Sequence, residues 1–122
     1  MSDLNKNSQA LGKLYEKLAE EHLLEKGYEI IAKNVRYPFG ELDLIMKNGE
    51  ILVFVEVRFR KNTHFGTAAE SITAAKKNKI RTAAKAFLKT IKGEIPSCRF
   101  DVVAITGLPP HGNLEHIEDA FS

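Results

Sequence analysis

The stretch Gly40-Glu41-Leu42-Asp43-Leu44-Ile45-Met46-Lys47-Asn48-Gly49-Glu50-Ile51-Leu52-Val53-Phe54-Val55-Glu56-Val57-Arg58 decides how this chain is read. Two β-rich runs, Glu41 to Lys47 and Glu50 to Arg58, flank Asn48-Gly49, the dipeptide preferred in a type I′ hairpin turn. A two-residue loop at that dipeptide fixes the register. Lys47 then faces Glu50, Asp43 faces Phe54 and Glu41 faces Glu56. Strand alternation separates two faces. Leu42, Leu44, Met46, Ile51, Val53, Val55 and Val57 make one wholly apolar face, which must be buried. The other face is apolar in its middle, at Ile45, Leu52 and Phe54, and carries Glu41, Asp43, Glu56 and Arg58 at its open end.

In that register Asp43 lies diagonal to Glu56, at roughly 7–8 Å between backbone positions. Two short carboxylate arms can converge on one ion across such a gap. Glu41 opposite Glu56 is a like-charge pair, which destabilises a sheet, and aspartate is a poor strand former. This departure from strand rules marks either an end that holds a cation or a solvated edge with Arg58 as counter-ion.

Outward from the hairpin, Ser8 to Lys26 is expected to be a helix, with Leu11, Leu14, Tyr15, Leu18, Ala19, His22 and Leu23 forming an apolar stripe. Tyr28 to Lys33 is a short strand candidate, and Asn34 to Gly40 reads as a loop. Beyond the hairpin, Lys61 to Gly66 is a loop and Thr67 to Ile91 a long helix ended by Gly93 and Pro96. Arg99 to Thr106 is a nearly continuous apolar run, as in a strand covered on both faces. Gly107 to Gly112 is a turn-rich link, and Leu114 to Phe121 is a weak terminal strand or short helix. The order α-β-β-β-α-β implies an α/β fold with a mixed sheet flanked by helices. With 122 residues the chain is expected to be one domain, its core at about 8–106 and its first seven residues flexible.

Composition excludes several classes. No apolar run approaches the ~20 residues of a membrane span, and Met1 to Asn7 lacks a signal-peptide core. The single cysteine, Cys98, cannot form an intrachain disulfide, and no Cys/His set has zinc spacing. A cytoplasmic location is the expectation. No Gly-rich phosphate loop is present, and no Ser or Cys has an evident base beside it.

Net charge is only +2, yet residues 58 to 92 carry +9 and the rest of the chain −7. That asymmetry fits either a surface facing a polyanion or a solvated helix face. Lys76 falls between Ile72 and Ile80 on the side the second helix should bury, where it either snorkels or reaches a buried anionic site. Lys77, Lys79 and Arg81 lie beside or away from that stripe and suit phosphate contact, as do Arg60 and Lys61. Glu16, on the flank of the first helix's stripe, can reach inward or out to water. Tyr37, Phe39, Phe59 and Phe65 flank the acidic end, for packing or for stacking on bases.

The runs Gly40-Glu41-Leu42-Asp43-Leu44-Ile45, Val53-Phe54-Val55-Glu56-Val57-Arg58-Phe59-Arg60 and Cys98-Arg99-Phe100-Asp101-Val102-Val103 resemble the YraN family of bacterial proteins. Gly12, Glu16, Ala19 and Lys76 also sit where that family's pattern places them, so the resemblance spans about residues 8 to 106. The family in turn resembles the PD-(D/E)xK nucleases, particularly archaeal Holliday-junction resolvases. The resemblance implies a restriction-endonuclease-like three-layer fold, a divalent metal (Mg²⁺ or Mn²⁺) and phosphodiester hydrolysis. It assigns Asp43 and Glu56 as metal ligands and matches Glu16 to the resolvases' helical glutamate. Glu41, treated as a third metal-site acid, and Lys76 also match family positions. Arg58 stands where the superfamily usually has lysine. Arginine cannot lose its proton here, so its role is confined to orienting groups or offsetting charge.

The expectation is therefore a Mg²⁺-dependent endonuclease acting on DNA, branched or flapped, with Asp43, Glu56, Arg58, Glu16 and Lys76 as the catalytic set. A homodimer is in keeping with the resolvase resemblance. Two alternatives stay open: a nucleic-acid-binding module of the same fold without turnover, and a protein-interaction domain with a basic helix.

Overall fold

The apolar face of the hairpin organises the molecule. The computed structural model describes residues 2–62, 66–107 and 112–122, with side-chain surroundings from residue 9 onward. Along the chain come α1 (Ser2–Glu25), β1 (Glu29–Tyr37), β2 (Gly40–Asn48), β3 (Ile51–Arg60), a 3₁₀ turn (Ala69–Ser71), α2 (Ala74–Leu88), β4 (Cys98–Thr106) and β5 (Asn113–Phe121). The strands form one sheet in the order β1-β2-β3-β4-β5. Only the β3–β4 pair is parallel, and α2 lies in the crossover such a pair requires.

One helix covers each face of the sheet, giving the three layers expected. On one face Leu44, Met46, Val53 and Val55 pack with Tyr15, Ala19 and Leu23 of α1. On the other, Ile45, Leu52 and Phe54 pack with Ile80, Ala83 and Ala84 of α2. Asp101 to Ile105 of β4 are all buried, as the apolar run implied. The α1 stripe is narrower than its pattern suggested: Tyr15, Ala19 and Leu23 are buried, whereas Leu11 and Leu14 are about 40% exposed.

Several expectations are corrected. The central residues of the hairpin turn are Gly49 and Glu50, because Asn48 pairs with Ile51. Gly49 has φ +61, and Glu50 is not among the residues with positive φ. That is the glycine-first pattern of a type II′ turn rather than type I′. The register moves by two residues, which leaves each face intact but changes every partner. Asp43 no longer faces Phe54, which pairs with Ile45 instead. Leu42 also leaves its expected face and packs on the α2 side with Ile45, so alternation breaks at Asp43.

β1 continues to Tyr37 through residues expected as loop, with Asn34 held at φ +51. The expected long helix is divided. Ile72 is extended, and Thr73 caps α2 by accepting from the Lys76 amide at 3.1 Å. Of the two alternatives for the terminal segment, strand or short helix, the strand forms, as β5. Most of the Gly107–Gly112 link, and Phe65, lie outside the described residues.

Candidate active site

The β2–β3 ladder ends at the pair Leu44–Val55, one step before the two acids. Past that point the Asp43 side chain takes over the work of a backbone acceptor, and its Oδ2 accepts from the Val57 amide at 2.9 Å. Asp43 is thereby tied to β3, and Glu56, next after Val55 on the α1 side, turns toward Lys76 of α2. Continuing the observed register would set Asp43 opposite Glu56 rather than diagonal to it.

These two carboxyls line one cavity and lie close enough to act on each other's proton affinity. Glu56 is only 5% exposed. Burial, then the neighbouring Asp43, pushes its carboxyl up to about 8, against the opposing pull of Lys76. Burial also raises Asp43, while the Val57 amide, the bond with Glu56 and Lys76 pull it back. Lys76 reaches inward, with Nζ 3.8 Å from Glu56 Oε1, so the helical lysine meets the buried anionic site rather than only snorkelling.

Glu16 completes one wall. An open cavity of about 340 Å³ is lined by Gly12, Tyr15 and Glu16 of α1, Glu41 and Asp43 of β2, Glu56 to Phe59 of β3, and Lys76 of α2. Two helices and the hairpin therefore bring together all five residues expected to act. Burial and then the charge of Asp43 raise the Glu16 carboxyl, offset by a bond from Asn34. With its nitrogen facing α1, the Asn34 amide donates to both Glu16 oxygens at 3.0 and 3.3 Å.

Glu41 lines the cavity but does not join the acid pair. It pairs with Arg36, its partner across β1–β2, at 3.6 Å. Among the described residues no group of three acid, histidine or cysteine side chains stands grouped for a metal. Asp43 and Glu56 are the two acids there that could hold one between β2 and β3. Arg58 is held at the cavity's edge by Ser71. Its Nε and Nη2 donate to Ser71 Oγ at 3.2 and 3.0 Å, and Nη2 also to the Ser71 carbonyl at 3.4 Å.

The basic residues expected to contact nucleic acid are split among three places. Arg60 and Lys61 line a separate cavity of about 250 Å³. Lys79 is exposed where the β1–β2 turn meets α2. Lys77 and Arg81 lie 5.7 and 5.6 Å from the centre of the Phe121 ring, and Arg81 also bonds the Ser122 carbonyl and Asn78. The face of α2 near the C-terminus is thus partly occupied by the chain's own last strand.

Three contributors escaped the sequence reading. Asn34 sat in a supposed loop, although asparagine's tolerance of left-handed backbone was a usable signal. Ser71 was hidden inside a supposed helix. The Tyr15 hydroxyl is buried without a partner among the described residues, its ring stacked on Phe59 at 4.1 Å; nothing in its helical spacing marked it. The Arg99–Asp101 motif lies outside the site. Asp101 is fully buried and accepts from Arg99 at 2.8 and 2.9 Å, from the Asp119 amide at 3.0 Å, and bonds His116 at 2.7 Å.

Among the described residues no helix is long and apolar enough to cross a membrane. The family model described as "Uncharacterised protein family UPF0102" matches residues 15–105. A UPF0102 protein of Shewanella amazonensis is 47% identical over 110 residues, covering 90% of this chain and 97% of its own. One from Saccharophagus degradans is 50% identical over 107 residues, covering 86% of each chain. Another, from Symbiobacterium thermophilum, is 45% identical over 116 residues and covers 93% and 98%.

Proposed function

The chain belongs to the uncharacterised protein family UPF0102, the YraN family, and from that premise we propose that it is a cytoplasmic, divalent-metal-dependent endonuclease acting on DNA. The observation that carries this reading is the Asp43–Glu56 pair, two carboxyls brought together at a cavity wall, Asp43 partly buried and Glu56 only 5% exposed. Like charges in such a place need a cation between them or a proton. The donor chemistry fits: carboxylate oxygens suit a hard ion such as Mg²⁺ or Mn²⁺, which would displace a proton from Glu56. Asp43 and Glu56 would hold it, with the Val57 carbonyl available as a further oxygen. When bound, the metal would polarise the phosphate and acidify a water.

The chain's own residues supply the rest. Lys76 offsets charge on the phosphate oxygens from α2. Arg58 acts as a planar, multiple donor, oriented by its anchorage on Ser71 before substrate arrives. Glu16, with its raised proton affinity and Asn34 behind it, is suited to holding a proton or a water at the cavity mouth. Contacts of this kind address phosphates, so little sequence preference is expected.

One observation favours a second reading, binding without turnover. The guanidinium at the superfamily lysine's position is engaged by Ser71, through both its hydroxyl and its carbonyl, rather than left for water or substrate. A cleavage panel of linear, flapped, four-way and single-stranded DNA, with Mg²⁺ and with Mn²⁺, separates the two. Products that vanish in Asp43→Ala support the nuclease. Salt-sensitive binding with no products at any metal concentration supports the binding module. Equal cleavage by Asp43→Ala contradicts the proposed site.

A further inference from the structure

We infer that Phe39 is a stacking platform for an unpaired base, so that the strand served by the Asp43–Glu56 site is one with unpaired nucleotides beside the bound phosphate; this rests on the nucleic-acid reading above. Phe39 sits at the tip of the β1–β2 turn and is 44% exposed, although its side chain is large and apolar. Its ring is not loose. It lies parallel to Tyr37, with 5.2 Å between centroids and 4° between planes. Tyr37 packs in turn against the core on the α2 side. Phe39 is therefore backed from within the protein while much of its ring meets solvent.

The tip is also fixed against α2. A Cβ on Gly40 would stand 2.7 Å from the Lys79 carbonyl oxygen and 3.4 Å from Lys79 Cβ. The root of an exposed lysine thus lies against the residue that follows Phe39. From the ring, β2 runs directly into the site. Asp43 is four residues on, roughly 13 Å at the usual strand rise. A strand anchored by one phosphate at Asp43 and Glu56 would bring a neighbouring base over Phe39 and a neighbouring phosphate near Lys79.

An aromatic face beside a cation is the arrangement that holds single-stranded nucleic acid, because every base has a π-face and every linkage a charge. A paired duplex does not offer a base face to it, since the bases already stack on one another.

The chain contains no tryptophan, so Phe39→Trp introduces a single indole at the proposed platform. This variant, Phe39→Ala and the wild type are titrated at low salt with an end-labelled single-stranded DNA. The same titration uses a strand of equal length whose central nucleotides are abasic. Indole emission and label anisotropy are both followed. Thermal melts confirm that each variant is folded.

Strong quenching of the indole emission of Phe39→Trp is expected with the base-bearing strand, and little with the abasic one. Phe39→Ala should bind the base-bearing strand roughly fivefold to a hundredfold more weakly, with the abasic strand bound equally by all three proteins. Binding seen by anisotropy with unchanged emission and equal affinity for Phe39→Ala overturns the platform and leaves the nucleic-acid reading standing. No binding of either strand by wild type overturns both.

Discussion

At Glu56 burial and the neighbouring Asp43 act in one direction, and the consequence is measurable without substrate. The folded chain holds the Glu56 proton up to about 8, against an ordinary value of 4.5. Between these values the folded state binds more protons than the unfolded state, so stability falls as pH rises. Thermal melts in a chelator should give a Tm that drops between about pH 5 and pH 8 through this group. Glu56→Gln should flatten that part of the profile, and a Tm equally pH-dependent in Glu56→Gln would refute the assignment. Ser71 permits a second test at this scale. Ser71→Ala removes the hydroxyl that orients Arg58 and should cost about 1 kcal/mol of stability. If Arg58 serves the reaction from that position, cleavage should slow by more than substrate binding weakens, as kcat against KM would report. Asp43, Glu56 and Lys76 were legible in the sequence because each breaks a local rule, acids in a strand and a lysine in an apolar stripe. Ser71 and Asn34 were not, because their roles depend on where a 3₁₀ turn and an edge strand lie in space.

Among the elements, the hairpin shows how sequence patterns constrain faces better than partners. Alternation alone assigned Leu44, Met46, Val53 and Val55 to a single buried side, and they pack together there. Turn chemistry was ambiguous by one residue, since Gly49 suits both the second place of type I′ and the first of type II′. That ambiguity moved Glu56 away from Glu41 and toward Asp43. Likewise, helical spacing over residues 67 to 91 did not reveal the interruption at Ile72, although Thr73 is a good N-cap residue. Gly40 offers the element-scale prediction. A methyl group there would collide with the Lys79 carbonyl, which belongs to helix backbone and cannot swing aside. Gly40→Ala should therefore destabilise by about 1–3 kcal/mol in denaturant titrations. A neutral result would mean that the β1–β2 turn does not press on α2.

Across the whole molecule, the site depends on the sheet holding two helices on opposite faces, and a second polar cluster helps close that sheet at its far edge. Burial raises the proton affinity of Asp101, but Arg99, the Asp119 amide and His116 together hold its carboxyl below the ordinary range. Asp119 and His116 belong to β5, so this buried charge fastens β5 to β4. Asp101→Ala would leave Arg99 and His116 without their partner and should cost about 3–5 kcal/mol in denaturant titrations. A loss below about 1 kcal/mol would deny the network that role. The charge asymmetry visible in the sequence also takes a different form in the fold. Its cations are spread over several places, among them the acid pair, the β1–β2 turn, the terminal strand and the cavity of Arg60 and Lys61. In the proposed mechanism everything turns on a divalent cation binding between Asp43 and Glu56 and displacing the proton that burial favours on Glu56. Calorimetric titration of Mn²⁺ at about pH 7, in buffers of different ionisation enthalpy, measures ion binding and proton release together. One ion should bind per chain with release of about one proton, and both signals should be lost in Asp43→Asn. No binding by the wild type, or the same binding and proton release in Asp43→Asn, would contradict the proposed metal site.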